Sequence, residues 1–310
     1  MTNKTLRIAV ALGSLLVASA ASAEGLPKNL PMSPSELERR FMHDDFKIIE
    51  VKSAGAGVTG ASKFKIRFAD GKILKGKWKE GPAESFDGWN NSPRKEMAAY
   101  AIQHWFNDEN DYVVPTIAPR CIPLEDYKVV TPHPKPSIPG TSCVLGVIAV
   151  WIDEVTVPRK FYDPKLFRND PAYARSMADF NLLTYLVEHR DGRQGNILQS
   201  TVPGDPRVFA IDNGISFDPF PWNFLVANWY KIRVPWLNRA SVDRLRKIDD
   251  PQLDALGVIA ELEADASGRL HVVTPGKNID DDKGVKRSGT RVQFGLKEDD
   301  IDELEDRIEK

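Results

Sequence analysis

Between Phe46 and Lys79 apolar and charged residues alternate on both sides of an Asp70-Gly71 pair. An alternation of period two is the mark of a half-buried strand, and Asp-Gly is the favoured centre of a two-residue hairpin turn. Phe64, Ile66 and Phe68 interleave with Lys65 and Arg67, and Ile73 to Lys79 returns from the turn. Phe46 to Val51 supplies an earlier strand, separated from the second by the small residues Ser53 to Ser62. The chain is therefore expected to open on three antiparallel strands with a glycine loop between the first two.

After the third strand the period changes. Ser92-Pro93 has the form of an N-cap with Pro at the first helical position, predicting a helix through Glu96, Met97, Ala98, Ala99, Tyr100, Ile102 and Trp105. Val144 to Val150 is a continuous apolar run, read as a buried strand leading into Trp151-Ile152-Asp153. Beyond it the pattern is mainly helical. Pro171 to Val187 places Met177, Phe180, Leu183 and Leu186 on one face. Short strands are predicted at Asn196–Gln199 and Val208–Ile211. Later helices are predicted at Ser241–Ile248, Pro251–Glu263 and Lys297–Ile308, with a short early one at Ser35–Met42.

The first 23 residues read as a secretory signal peptide. Lys4 and Arg7 precede the apolar run Ile8 to Ala18, and Ala21-Ser22-Ala23 is a small-residue cleavage site. Losing them takes the formal charge from −2 to −4, a mild acidity that argues against a nucleic-acid protein. No later segment approaches the roughly 20 apolar residues of a membrane helix. An exported chain, most simply periplasmic, is expected. In an oxidising compartment Cys121 and Cys143 are expected to pair as a disulfide, two buried free thiols being the alternative.

Two motifs carry chemistry. His189-Arg190-Asp191-Gly192-Arg193-Gln194-Gly195-Asn196 is followed, after a predicted hairpin, by Ile211-Asp212-Asn213-Gly214. An Asp with an Asn five positions on has the spacing of a kinase catalytic loop. Phosphoryl transfer needs a carboxylate to orient and deprotonate the attacking hydroxyl, and oxygen ligands to hold Mg2+ or Mn2+ against the triphosphate. Asp191 is the candidate base, and Asn196 and Asp212 the candidate metal ligands. Gly214 is expected to let the chain turn beside that carboxylate. The second motif, Gly55-Ala56-Gly57-Val58-Thr59-Gly60, precedes a strand rather than a helix. That context favours a phosphate-covering loop built on Gly55, Gly57 and Gly60 over a dinucleotide fingerprint, with a plain flexible turn as the remaining option. A lysine on the third strand should meet the phosphates and be held by Glu96. Lys75, Lys77 and Lys79 share one strand face, and Lys79 is favoured with Lys77 second. Trp151 and the strand before it are placed beside the adenine.

Gly76-Lys77-Trp78-Lys79, Glu96-Met97-Ala98-Ala99-Tyr100, Val114-Pro115, Asp179-Phe180-Asn181 and Asp212-Asn213-Gly214-Ile215-Ser216-Phe217 together resemble the secreted-protein kinases of the Golgi casein kinase type and, more distantly, the type II phosphatidylinositol 4-kinases. The resemblance spans about residues 47–225. It implies an α+β, two-lobed protein-kinase-like fold with an antiparallel-sheet small lobe and a mainly helical large lobe. It also implies ATP, a divalent cation, a phosphate-binding Lys79 paired with Glu96, a catalytic Asp191 and a metal-binding Asp212. Gly192 stands where these families place Arg after the catalytic Asp, and no Ala-Pro-Glu element follows Asp212.

The expected organisation is a signal peptide over 1–23, an extension over 24–46, a small lobe over 47–152 and a large lobe over 153–310. An ATP-dependent phosphotransferase acting on an exported protein or an envelope small molecule is the leading expectation. A nucleotide-binding scaffold without catalysis and a nucleotidyl (AMP) transferase are the alternatives. Phe217, Phe220, Trp222, Phe224 and Trp229 are expected to pack the large lobe, with an acceptor pocket as the second reading.

Overall fold

The computed structural model describes residues 28–53, 61–81, 93–189, 192–217 and 232–310. The segment read as a signal peptide, the glycine loop and Ser92 lie outside these, as do Arg190, Asp191 and the aromatics Phe220, Trp222, Phe224 and Trp229.

The alternating segment forms β1 (Phe46–Ser53), β2 (Ser62–Phe68) and β3 (Ile73–Glu80), and β4 (Ile117–Pro123) and β5 (Cys143–Val150) complete an antiparallel sheet in the order β1-β2-β3-β5-β4. At the β2–β3 turn Gly71 takes the left-handed conformation (φ 84°), which costs glycine nothing. The Asp70 carboxylate accepts the Lys72 N–H at 2.9 Å and closes the turn. Phe46, Ile48, Phe64, Ile66, Leu74 and Trp78 face one core, capped by α1 (Pro34–His43) through Leu37 and Phe41.

β4 carries no strand signal in the sequence. Its residues are buried through Ile122, so no alternation shows, and Pro119 speaks against a strand. Its partner β5 supplies the ladder, and the Cys121–Cys143 disulfide ties the two together. The helix after β3, α2 (Pro93–Gln103), packs on the far side of the sheet within the second and larger core. The short α3 (Leu124–Tyr127) follows β4.

Past β5 the chain enters the other lobe. β6 (Val155–Thr156), β7 (Ile197–Ser200) and β8 (Val208–Ala210) form a three-stranded antiparallel sheet. Around it lie α4 (Pro164–Asn169), α5 (Pro171–Leu186), α6 (Arg239–Leu245) and α8 (Glu298–Glu309). The single helix expected over Pro251–Glu263 does not form. A short helix, α7 (Asp250–Asp254), runs into a 3-10 turn at Ala255–Val258, and β9 (Ala260–Ala264) follows. The ladder wins because β9 is paired on both sides, by β10 (Leu270–Val273) and β12 (Arg291–Phe294), with β11 (Val285–Ser288) at the edge. Gly257 sits where Gly295 crosses it so closely that a Cβ on Gly295 would stand 2.0 Å from the Gly257 carbonyl oxygen. Among the described residues, no helix is long and apolar enough to cross a membrane.

Candidate active site

Three lysines on β3 point the same way because they are two residues apart, and each meets a different carboxylate environment. Lys75 Nζ donates to both oxygens of Asp153 at 2.9 Å. Lys77 Nζ lies 3.4 Å from Asp212 Oδ1, and Lys79 Nζ is shared between Glu96 Oε1 and Asp212 Oδ1, the latter at 2.5 Å. Lys79 is 3 % exposed and Glu96 6 %, so their charges must be matched inside the protein. β3 is held hard against β5 at this point: a Cβ on Gly146 would stand 2.4 Å from the Lys79 carbonyl oxygen.

Burial alone would lower the Lys79 ammonium, but the neighbouring Glu96 and Asp212 outweigh it and raise its pKa above the ordinary lysine value. Burial likewise opposes ionisation of Asp212. Lys79 and Lys77 overcome that, holding the carboxyl well below the usual carboxylate range. Asp212 is therefore ionised at any working pH.

Asp212 follows β8 closely and adopts a left-handed backbone (φ 63°). The tight turn expected at Gly214 thus falls on Asp212 itself, a residue type that tolerates this conformation better than most. Asn196 ends the 3-10 turn before β7 and is buried. The Ile211 N–H donates to the Asn196 carbonyl at 3.0 Å, so Asn196 and Asp212 stand on neighbouring strand ends. The Phe217 N–H donates to Val187 O at 2.9 Å, which lays the Asp-Asn-Gly turn against the end of α5, where the His189–Asn196 motif departs. Phe217 is fully buried, as expected of a packing residue. Asp191, Gly55, Gly57 and Gly60 fall outside the described residues, and this geometry does not include them.

A cleft of about 500 Å³ lies between the lobes. Val114, Ile117, Ala149, Ile152 and Leu198 give it apolar walls, while Lys77, Glu96, Asp212 and Asn213 make one end polar. Trp151 lines it from the connector, its backbone N–H donating to Lys75 O at 3.0 Å and its ring carrying Lys63 Nζ at 3.6 Å from the centroid. The amide oxygen of Asn213 is buried with no hydrogen-bond partner among the described residues. Asp212 and Asn213 line the cleft and carry oxygen donors of the kind Mg2+ or Mn2+ takes, whereas Asn196 does not line it.

Sequence reasoning missed Asn29. This buried side chain donates to the carbonyls of Asp153 (2.8 Å) and Glu154 (3.1 Å) in the connector, and the Thr201 N–H donates to Glu154 O at 2.8 Å. Glu154 itself is left-handed (φ 54°). No local signal could have marked Asn29, because its partners lie more than a hundred residues away.

Strand order, the lysine–glutamate pair between the third strand and the following helix, and the carboxylate after β8 define a two-lobed, protein-kinase-like fold. No family model matches the chain, and no curated protein matches it. Among solved structures it is similar to a hydra Fam20 with sugar, at 12% identity and a TM-score of 0.45, over 90% of this chain and 93% of that one. It is also similar to the Golgi casein kinase with Mn/ADP bound, at 14% identity and a TM-score of 0.42, over 73% of this chain and 66% of that one. A second Golgi casein kinase structure gives 14% identity and a TM-score of 0.40, over 69% and 65%.

Proposed function

We propose that this chain is an ATP-dependent phosphotransferase of atypical kinase type. One observation carries the reading: a buried lysine, Lys79, is shared by Glu96 and Asp212, two carboxylates that line the polar end of an apolar-walled cleft. Such a cleft suits a flat heterocycle joined to a polyanion, and a buried lysine held between two carboxylates is a charge fixed in place beside it. Lys79 contacts phosphate oxygens, and Glu96 keeps it oriented. Lys77 stands beside it as a second cation. Asp212 and Asn196 would hold a divalent cation, with Asn213 as a further oxygen donor from the same turn. When bound, that cation would neutralise charge on the phosphates. Asp191 accepts the proton of the attacking hydroxyl, and the loop bearing Gly55, Gly57 and Gly60 covers the phosphates. Trp151 and the connector border the base.

The leader over 1–23 is removed on export, the lobes divide near residue 152, and the acceptor is an exported protein or an envelope small molecule. The test is transfer from ATP labelled at the γ or the α phosphate, with Mn2+ and the purified mature chain. Label from the γ position should appear on protein, and Asp212→Asn and Asp191→Ala should each reduce its rate at least about 100-fold. Wild-type protein that binds and transfers nothing, or an Asp212→Asn variant as fast as wild type, would sink the reading. Transfer of the α label instead would make the enzyme a nucleotidyl transferase.

A further inference from the structure

The register of the first three strands lays charges out in rows. Lys47, Arg67 and Ile73 stand opposite one another, then Glu50, Lys65 and Lys75, then Lys52, Lys63 and Lys77. Their strand neighbours Ile48, Phe64, Ile66, Leu74 and Trp78 are in the core, so these nine residues share the other face of the sheet. Seven of the nine are cationic and one is acidic. Like charges directly opposite each other weaken a ladder, and Lys47–Arg67, Lys65–Lys75, Lys52–Lys63 and Lys63–Lys77 are all such pairs.

The third row and Lys75 have internal compensation. Lys75 meets Asp153, Lys77 meets Asp212, Lys52 meets Glu50, and Lys63 lies over the Trp151 ring. Lys65 has only Glu50 opposite it, and among the described residues no carboxylate comes within ion-pair distance of Lys47, Lys65 or Arg67. Residues 46–79 hold nine Lys or Arg against Glu50 and Asp70, in a chain whose net charge is −2. Ile49 and Ile73, 37% and 43% exposed, are among the few large apolar side chains left in solvent, and Ile73 extends the first row. This face therefore carries an excess of cations that the single acidic residue Glu50 does not balance, beside exposed branched apolar groups.

We propose that this face docks the protein on an anionic lipid bilayer. Lys47, Lys65 and Arg67 meet headgroup phosphates, while Ile49 and Ile73 enter the interfacial layer. The array is three strands wide, which matches a charged surface better than a single extended chain lying along one line. Because its third row ends at Lys77 on the cleft wall, docking holds the cleft close to the lipid surface. Docking is independent of whether the cleft transfers phosphate.

The experiment is co-sedimentation of the purified mature chain with vesicles of phosphatidylcholine alone and of phosphatidylcholine with about one-third phosphatidylglycerol. Wild-type protein should prefer the anionic vesicles, with the preference fading as salt rises. A K47E/K65E/R67E variant should lose at least about 100-fold in partitioning, since each basic residue near the surface contributes several-fold. A control carrying the same charge change on exposed large-lobe positions, R239E/R246E/K310E, should retain it. Circular dichroism confirms that both variants are folded. Equal binding to neutral and anionic vesicles, or equal loss in both variants, overturns the proposal. So does capture of a soluble polyglutamate by a protein that ignores the vesicles, which would assign the face to an acidic polypeptide.

Discussion

α1 and α2 are of nearly equal length and both start at a proline, yet they are held in opposite ways. α1 is a surface helix. It buries Pro34, Leu37 and Phe41 and leaves its charged residues to pair with each other in solvent, Arg39 and Arg40 with Glu36. α2 buries ten of its eleven residues, Arg94, Lys95 and Glu96 included. A charge or amide buried on a helix needs a partner elsewhere. Arg94 finds Gly295 O at 3.1 Å and Asp300 at 3.4 Å, and Gln103 binds the backbone of Val113 and Val114. α2 is thus clamped by segments close by and far along the chain, and the carboxylate that faces Lys79 is held in place with it. A site-bearing helix here is positioned by its polar contacts, whereas a covering helix is positioned by its apolar stripe.

The contrast can be broken by mutation. Glu96→Ala leaves Lys79 buried with Asp212 alone and should cost about 3 kcal/mol in urea unfolding, the lower end for a broken buried pair. Leu37→Ala should cost about 2 kcal/mol, because a helix on the surface can settle partly into the space left. If Leu37→Ala proved the more damaging, the contrast between the helices would fail. Ser33→Ala removes the N-cap of α1, whose hydroxyl accepts the Glu36 N–H at 3.3 Å, and should cost about 1 kcal/mol or less.

The smallest effect sits where the helices touch. Tyr100 of α2 donates to Glu38 of α1 at 3.3 Å. Burial raises the Glu38 carboxyl above its ordinary value, the Tyr100 hydrogen bond opposes the shift, and Glu109 adds to it. With the folded pKa above the unfolded one, ionisation penalises the folded state. That penalty is absent below the unfolded carboxylate range, grows as pH rises towards the folded pKa, and is complete above it. Glu38→Gln should therefore be slightly more stable than wild type at neutral pH, the smallest change of the four, and no more stable in acid. Thermal melts at the two pH values check the sign.

How much could be read beforehand differs between elements for physical reasons. β1 to β3, α1, α2, β5, α5 and the strands β7 and β8 all announced themselves by period or by turn and cap residues, since each signal is local. Asp212 and Glu96 could be named as candidates because chemistry dictates residue type and spacing, while Lys79 was only the favoured of three lysines. β4 and the sheet of β9 to β12 were not. β4 is buried on both sides and carries Pro119, and β9 is a strand only because two distant segments flank it. Among the three lysines of β3, period two predicts a shared face and cannot say which carboxylate each will meet. Asn29, whose amide grips the connector, carries no pattern at all.

The amino-acid order by itself determined the strand periods, the Asp70-Gly71 turn, the helix starts and the set of acids, amides and lysines available for chemistry. These depend on neighbours within a few residues, where backbone sterics and side-chain alternation act. The folded arrangement alone decided that Lys79, and not Lys75, is the buried partner of Glu96, and that Lys47, Lys65 and Arg67 have no carboxylate within ion-pair distance among the described residues. Both outcomes depend on which distant carboxylates the packing of two lobes brings within reach, and an electrostatic interaction of a few ångströms leaves no trace along the chain.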